Sequence, residues 1–290
     1  MAPQTPQPSS RPGQAGAFLE ARWQAPIGVR GKIGAMLLVI DVGNTNTKIG
    51  VFQGDRLLVS WSLTTRREQT ADEYGLFTAT LLGTRGIAAA DIEGVAISNV
   101  VPPVQQALEQ MAEQYFGVTA LSVEPGVTTA IPLAVENPRE VGPDRIVSMV
   151  AAVAAYGAPL IVVDLGTATR FDFVNARGEF IGGAIAPGIA VALDALLNRA
   201  ARLFRVELVR PKEAIGRNTV TNIQSGLIYG FAGLVDGLVE RMKVEMGGSP
   251  TVVATGGLAP LVADVVRSIE HVDPDLKLNG LRLLYQRARA

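Results

Sequence analysis

Leu37-Leu38-Val39-Ile40-Asp41-Val42-Gly43-Asn44-Thr45-Asn46-Thr47-Lys48-Ile49-Gly50-Val51-Phe52 decides the fold, because its pattern occurs twice. The second occurrence is Leu160-Ile161-Val162-Val163-Asp164-Leu165-Gly166-Thr167-Ala168-Thr169-Arg170-Phe171-Asp172-Phe173-Val174. Each begins as a short apolar run, passes through Asp-x-Gly and a cluster of hydroxyl and amide side chains, then resumes as an apolar run. That is strand, tight turn, strand. Aligned 123 residues apart, Asp41 falls on Asp164, Gly43 on Gly166, Asn46 on Thr169 and Val51 on Val174. A repeat of this period signifies a duplicated domain rather than a solenoid. The halves span about residues 36–155 and 156–290.

Strand and helix signals alternate outward from each repeat. Ala71 to Leu82 reads as an amphipathic helix, Gly94 to Ser98 as a buried strand and Val104 to Tyr115 as a helix. Ile146 to Ala155 and Asn222 to Met246 read as further helices, Thr251 to Thr255 as a buried strand, with another helix from Pro260. The class is α/β. Residues 1–35 differ: rich in Pro, Gln, Ser and Gly, they are expected to form a disordered extension without the apolar core of a signal peptide. Met36 is a plausible translation start. No apolar stretch is long enough for a membrane helix, so a cytoplasmic location is expected.

Composition excludes several chemistries. The 290 residues contain no cysteine and one histidine, His271. Disulfides, thiol catalysis, Cys-based zinc and iron–sulfur sites are absent, and a Ser-His-Asp triad would rest on His271 alone. His271 reads as a surface residue beside the Asp273-Pro274 turn. A net charge of −1 argues against a general nucleic-acid or anionic-membrane binder. Chemistry must run on carboxylates, hydroxyls, Arg, Lys and backbone amides.

The two Asp-x-Gly turns suit phosphate. Gly43 and Gly166 allow close backbone approach. Asn44, Thr45, Asn46, Thr47, Thr167 and Thr169 offer uncharged donors, and Lys48 a point charge. Asp41 and Asp164 would hold cations, as Mg²⁺ takes one or two carboxylates plus phosphate oxygens and water. A plain hairpin turn is the alternative for either loop alone. The P-loop and the Gly-rich dinucleotide fingerprint are both missing. Val253-Ala254-Thr255-Gly256-Gly257 would let a flat ring such as adenosine lie on the backbone, or be a simple strand-to-helix turn.

Asn137-Pro138-Arg139-Glu140-Val141-Gly142-Pro143-Asp144-Arg145 is the second dense segment. Asp144 sits at a helix start, where it serves either as an N-cap or as the acceptor of a substrate proton. Arg139 and Arg145 suit a substrate carboxylate.

Asp41-Val42-Gly43-Asn44-Thr45, Gly142-Pro143-Asp144-Arg145, Asp164-Leu165-Gly166-Thr167-Ala168, the Gly182–Gly188 run Gly-Gly-Ala-Ile-Ala-Pro-Gly and Gly216-Arg217-Asn218-Thr219 together resemble type III pantothenate kinases over residues 36–290. The resemblance implies two RNase-H-like domains of the acetate-and-sugar-kinase/Hsc70/actin fold with a cleft between them. It implies phosphorylation of pantothenate by ATP, the first step of coenzyme A synthesis, with Mg²⁺, a monovalent cation (K⁺ or NH₄⁺) and a homodimer. By the same resemblance, Asp41, Val42, Gly43, Asn44, Thr45, Asn46, Thr47 and Lys48 form the first ATP loop, with Thr167 a further ATP contact. Asp41 holds Mg²⁺, directly or through water. Asp144 is the proton acceptor within a substrate segment of Gly142, Pro143, Asp144 and Arg145, and Thr219 is a substrate contact. Asp164 is the monovalent-cation ligand. Gly226, Gly230 and Gly233 would lie near the dimer interface or pack within one subunit.

Three residues depart from the family pattern: Val135 for a tyrosine that lines the substrate pocket, Pro143 for alanine and Arg170 for threonine. Arg170 would contact phosphate, replace the monovalent cation near Asp164, or face solvent. A non-catalytic transcriptional accessory factor and a kinase for a related hydroxy acid are the competing readings. Retention of Asp41, Asp144, Arg145, Asp164 and Thr219 weighs against the first.

Overall fold

In the computed structural model, which describes residues 35–124, 130–200 and 205–289, the expected repeat appears as two sheets of identical strand order. In the first, β1 (Met36–Val42), β2 (Asn46–Gln53) and β3 (Arg56–Thr64) form an antiparallel meander. Helix α1 (Ala71–Gly83), β4 (Ile92–Asn99), α2 (Gln105–Phe116), β5 (Leu121–Ser122) and α3 (Pro143–Tyr156) follow. Strands β4 and β5 add in parallel beside β1, giving the order β3-β2-β1-β4-β5.

The second sheet repeats this plan. The meander is β6 (Leu160–Leu165), β7 (Ala168–Val174) and β8 (Phe180–Pro187). Then come α4 (Ile189–Arg199), α5 (Thr219–Met246), β9 (Thr251–Thr255), the single turn α6 (Ala259–Val262), β10 (His271–Val272) and α7 (Leu276–Arg289). Its order is β8-β7-β6-β9-β10. No helix among the described residues is long and apolar enough to cross a membrane. The extension expected at residues 1–35 lies, apart from Ala35, outside the described residues.

Strand alternation sorts the core into three layers. Leu37 and Val39 of β1 face a central cluster, as do Leu160 and Val162 of β6. The intervening residues Leu38, Ile40 and Val42 pack under α1 and α2, and Ile161, Val163 and Leu165 under α4, α5 and α6. Helices α3 and α7 fill the central layer between the two sheets. They meet closely: a Cβ on Gly280 would lie 1.9 Å from the Val147 carbonyl oxygen.

The register corrects the repeat by one residue. In the first hairpin Val42 pairs with Thr47 and Asp41 with Lys48; in the second Leu165 pairs with Thr169 and Asp164 with Arg170. The first turn is one residue longer, so beyond the turn Thr47, not Asn46, is the counterpart of Thr169. Val51 likewise matches Phe173, not Val174. Arg170 therefore occupies the place of Lys48.

Helix α3 starts three residues before its apolar pattern. Gly142 is its N-cap and Pro143 its first residue, where a missing N–H costs nothing. Strands β3, β5, β8 and β10 and helices α4 and α7 are additions to the elements expected from the sequence.

Alanine normally improves a helix interior over glycine by about 1 kcal/mol. At Gly280 the collision with α3 wins: Gly280→Ala lowers stability by about 1–3 kcal/mol, read as a lower urea midpoint.

Candidate active site

Both strand-end aspartates point into the central layer, because Asp41 shares the parity of Leu37 and Val39, and Asp164 that of Leu160 and Val162. Asp144 enters the same volume from the first turn of α3, and Lys277 from the first turn of α7. All three carboxylates are buried, at 6% exposure for Asp41, 5% for Asp144 and 3% for Asp164. Gly142 being the N-cap, Asp144 is released from capping.

Arg170, opposite Asp164 in the β6–β7 ladder, ties two of them together. Its Nη1 donates to Asp144 Oδ2 at 2.5 Å and its Nη2 donates to Asp164 Oδ2. Lys277 Nζ lies 2.9 Å from Asp164 Oδ2 and 3.9 Å from Asp41 Oδ2. The other oxygen of each carboxylate, Oδ1 of Asp41, Asp144 and Asp164, is buried with no hydrogen-bond partner. Glycine keeps space beside two of these oxygens. A Cβ at Gly142 would stand 2.7 Å from Asp144 Oδ1, and one at Gly256, whose φ is +96°, 2.6 Å from Asp164 Oδ1.

Charge compensation differs between the two strand ends. Burial pushes the Asp41 carboxyl up, and the Lys277 ammonium offsets this only in part. Burial also acts on Asp164, but Lys277 and Arg170 more than reverse it and hold that carboxyl below its usual value. For Arg170 and Lys277, burial disfavours the charged form, and the surrounding aspartates outweigh it and raise both. Asp164 is thus already answered by two protein cations, whereas Asp41 has only the more distant Lys277.

The two turns meet. Thr45 Oγ1 and Thr167 Oγ1 are hydrogen-bonded at 2.8 Å, with both residues exposed alongside Asn44 and Asn46. The Gly43 N–H donates to the Asn46 carbonyl at 3.0 Å, and the Thr65 hydroxyl donates to the Gly43 carbonyl at 2.7 Å. Thr47 is buried against Thr65 and Val42 lies in the core. Lys48 turns away from the aspartates: its ammonium donates to the Pro274 carbonyl at 2.5 Å and to Asp275 at 2.9 Å.

Arg145 also has an internal partner. Its Nε and Nη2 donate to Asp172 Oδ1 at 2.7 and 2.5 Å, and its guanidinium lies over the Phe180 ring at 5.0 Å. A cavity of about 500 Å³ opens beside Gly142 and Pro143, walled by Gln105, Glu109, Ser122 and Arg139. Val135 packs half-buried against the central core and is not among the residues lining this cavity. Thr219 is exposed at the start of α5. His271 is exposed and stacks on Tyr156 with ring centroids 4.7 Å apart.

A sequence model described as type III pantothenate kinase matches residues 37–241. Proteins named type III pantothenate kinase from Syntrophotalea carbinolica and Moorella thermoacetica are each 52% identical over 252 residues, 87% of this chain and 99% of theirs. The chain belongs to the type III pantothenate kinase family.

Solved structures at lower identity share the fold with this pantothenate kinase family member. A Campylobacter jejuni protein assigned to the Baf family of transcriptional activators is 19% identical, with a TM-score of 0.57 over 87% of this chain and 98% of its own. The activator of 2-hydroxyisocaproyl-CoA dehydratase from Clostridium difficile, with bound ADPNP, is 12% identical, with a TM-score of 0.53 over 88% and 97%. The likeness is one of fold, a two-sheet α/β architecture.

Sequence reasoning missed Lys277 and Asp172. Leu278, Leu281 and Leu284 after the Pro274 turn carry a helical period that would have located α7, and an aspartate between Phe171 and Phe173 marks a buried charge in need of a partner. Removing that partner is costly: Asp172→Ala leaves Arg145 uncompensated and destabilises the fold by about 3 kcal/mol in urea titration.

Proposed function

We propose that the chain transfers the γ-phosphoryl group of ATP to the hydroxyl of pantothenate, forming 4′-phosphopantothenate, the first step of coenzyme A synthesis. The observation that carries this is the pair of buried, unpartnered carboxylate oxygens on Asp41 and Asp144, set beside paired hydroxyl-lined turns. Residues 36–155 and 156–290 are the two RNase-H-like domains of a duplicated chain, with the cleft at the meeting of their turns. The family assignment and the matching sheet orders support this. A cytoplasmic location is part of the same proposal.

In this mechanism Gly43 to Asn46 and Thr167 receive the triphosphate through backbone N–H groups and hydroxyls. Asp41, buried and short of a counter-charge, fits a divalent cation such as Mg²⁺ through its free Oδ1. When bound, that ion neutralises charge on the phosphates. Pantothenate occupies the cavity at Gly142 and Pro143, which places its hydroxyl toward the next residue, Asp144. Oδ2 of Asp144 is held by Arg170, so Oδ1 is the oxygen left to accept the hydroxyl proton. Lys48, paired with Asp275, steadies the turn of β1 and β2. Thr219, exposed at the start of α5, serves as a further substrate contact. Asp164 does not fit the monovalent cation that the resemblance implies.

Asp144→Asn keeps the shape but cannot take the proton. Turnover of pantothenate, followed by ADP release, falls by about 10²–10⁴-fold while the circular dichroism spectrum is unchanged. Near-normal turnover in that variant refutes the assignment.

The homodimer is supported by open space before Gly226, Gly230 and Gly233 on α5 and by exposed Ile185, Val191 and Leu196 on β8 and α4. Gly230→Glu then shifts the wild-type dimer toward monomer in size-exclusion chromatography with light scattering. A monomeric wild type removes this part of the proposal.

A further inference from the structure

Asp164 is the most heavily compensated acid in the site. Its Oδ2 receives the Nη2 of Arg170 and the Nζ of Lys277 together, and both cations are mostly buried, at 16% and 19% side-chain exposure. We propose that Arg170 and Lys277 take the place of a bound monovalent cation at Asp164, so that this chain works without K⁺ or NH₄⁺. The requirement for turnover rests on the proposed kinase activity; the absence of a cation site does not.

Three observations carry it. First, two protein cations already sit on one oxygen of Asp164. A third cation on that carboxylate would meet two like charges, and each at about 4 Å weakens binding on the order of a thousandfold at an effective dielectric near 20. Second, the guanidinium spans two carboxylates. Its planar fork reaches Asp144 with one nitrogen and Asp164 with the other, a bridging task that a spherical ion performs by coordination and arginine performs covalently anchored. Third, Lys277 sits where its charge is otherwise unfavourable. It is the second residue of α7, at the positive end of the helix dipole, and its pairing with Asp164 and Asp41 answers that cost. The equivalent second residue of α3 is Asp144, the charge that such an end favours.

The two cations also leave one acid undercompensated. Three carboxylates meet two protein cations, and the deficit falls on Asp41, which has only Lys277 at 3.9 Å. A divalent ion is thereby directed to Asp41 and away from Asp164.

The test is a KCl titration against choline chloride at constant ionic strength with Mg²⁺ present, read by thermal melting with a non-hydrolysable ATP analogue and, in separate assays, by turnover with ATP and pantothenate. The wild type shows no K⁺-specific shift beyond about one degree, because no site is filled. Its turnover is unchanged within about twofold, by the same linkage. Arg170→Thr and Lys277→Thr each open the site and gain a K⁺-specific melting shift of several degrees. A K⁺-specific shift of that size in the wild type, or turnover that collapses without K⁺, overturns the proposal. So do folded variants that stay indifferent to K⁺. Since melting reads cation binding without chemistry, a chain inactive on pantothenate in every salt would refute the kinase proposal while the melting titration still decides this one.

Discussion

Three aspartates share one buried volume, and their mutual repulsion is the constraint that the rest of the structure answers. Asp144 and Asp164 both raise the cost of ionising Asp41, on top of its burial. Two like unit charges about 4 Å apart at an effective dielectric near 20 repel by on the order of 4 kcal/mol, the scale on which such a cluster must be compensated. Arg170 and Lys277 offset most of it. Strand parity aims Asp41, Asp164 and Arg170 at the central layer, and the first turns of α3 and α7 deliver Asp144 and Lys277 to meet them.

The backbone is nearly the same in the two halves, but the charges are not. Asp41 and Asp164 are true counterparts at the ends of β1 and β6. Beyond them the sign inverts: the second residue is acidic on α3 and basic on α7. Lys48 and Arg170, the next counterparts, diverge in reach. Lysine ends at the Pro274-Asp275 corner, while the longer, forked guanidinium bridges two acids. A repeated scaffold has become an asymmetric site through a handful of side chains. Close helix contact at Gly280 and Val147 holds the two first turns in register.

Much of this was legible in the sequence where the determinant is local. The Asp-x-Gly turns, the strand flanks and the Gly142-Pro143 helix start are set by neighbours within a few residues. The pairing of the halves was read one residue out of step past the turn, because apolar strands tolerate a slip that only ladder hydrogen bonds resolve. Arg170 was conspicuous, yet its bridge to Asp144 spans 26 positions and belongs to packing. Arg145 was expected to face substrate. Its partner, Asp172, lies on an interior strand position whose direction depends on that same register. Lys277 stayed hidden because its helix was unassigned.

The hydrogen bond between Thr45 and Thr167 bears on the proposed nucleotide site. Each turn presents its hydroxyl to the other, so a phosphate bound between them, as the proposed mechanism has it, would separate the pair. A bond of this kind is worth about 1 kcal/mol net. Under that proposal the cost lowers nucleotide affinity by about fivefold relative to the same hydroxyls held apart, so the turns trade binding strength for a site that closes on itself when empty.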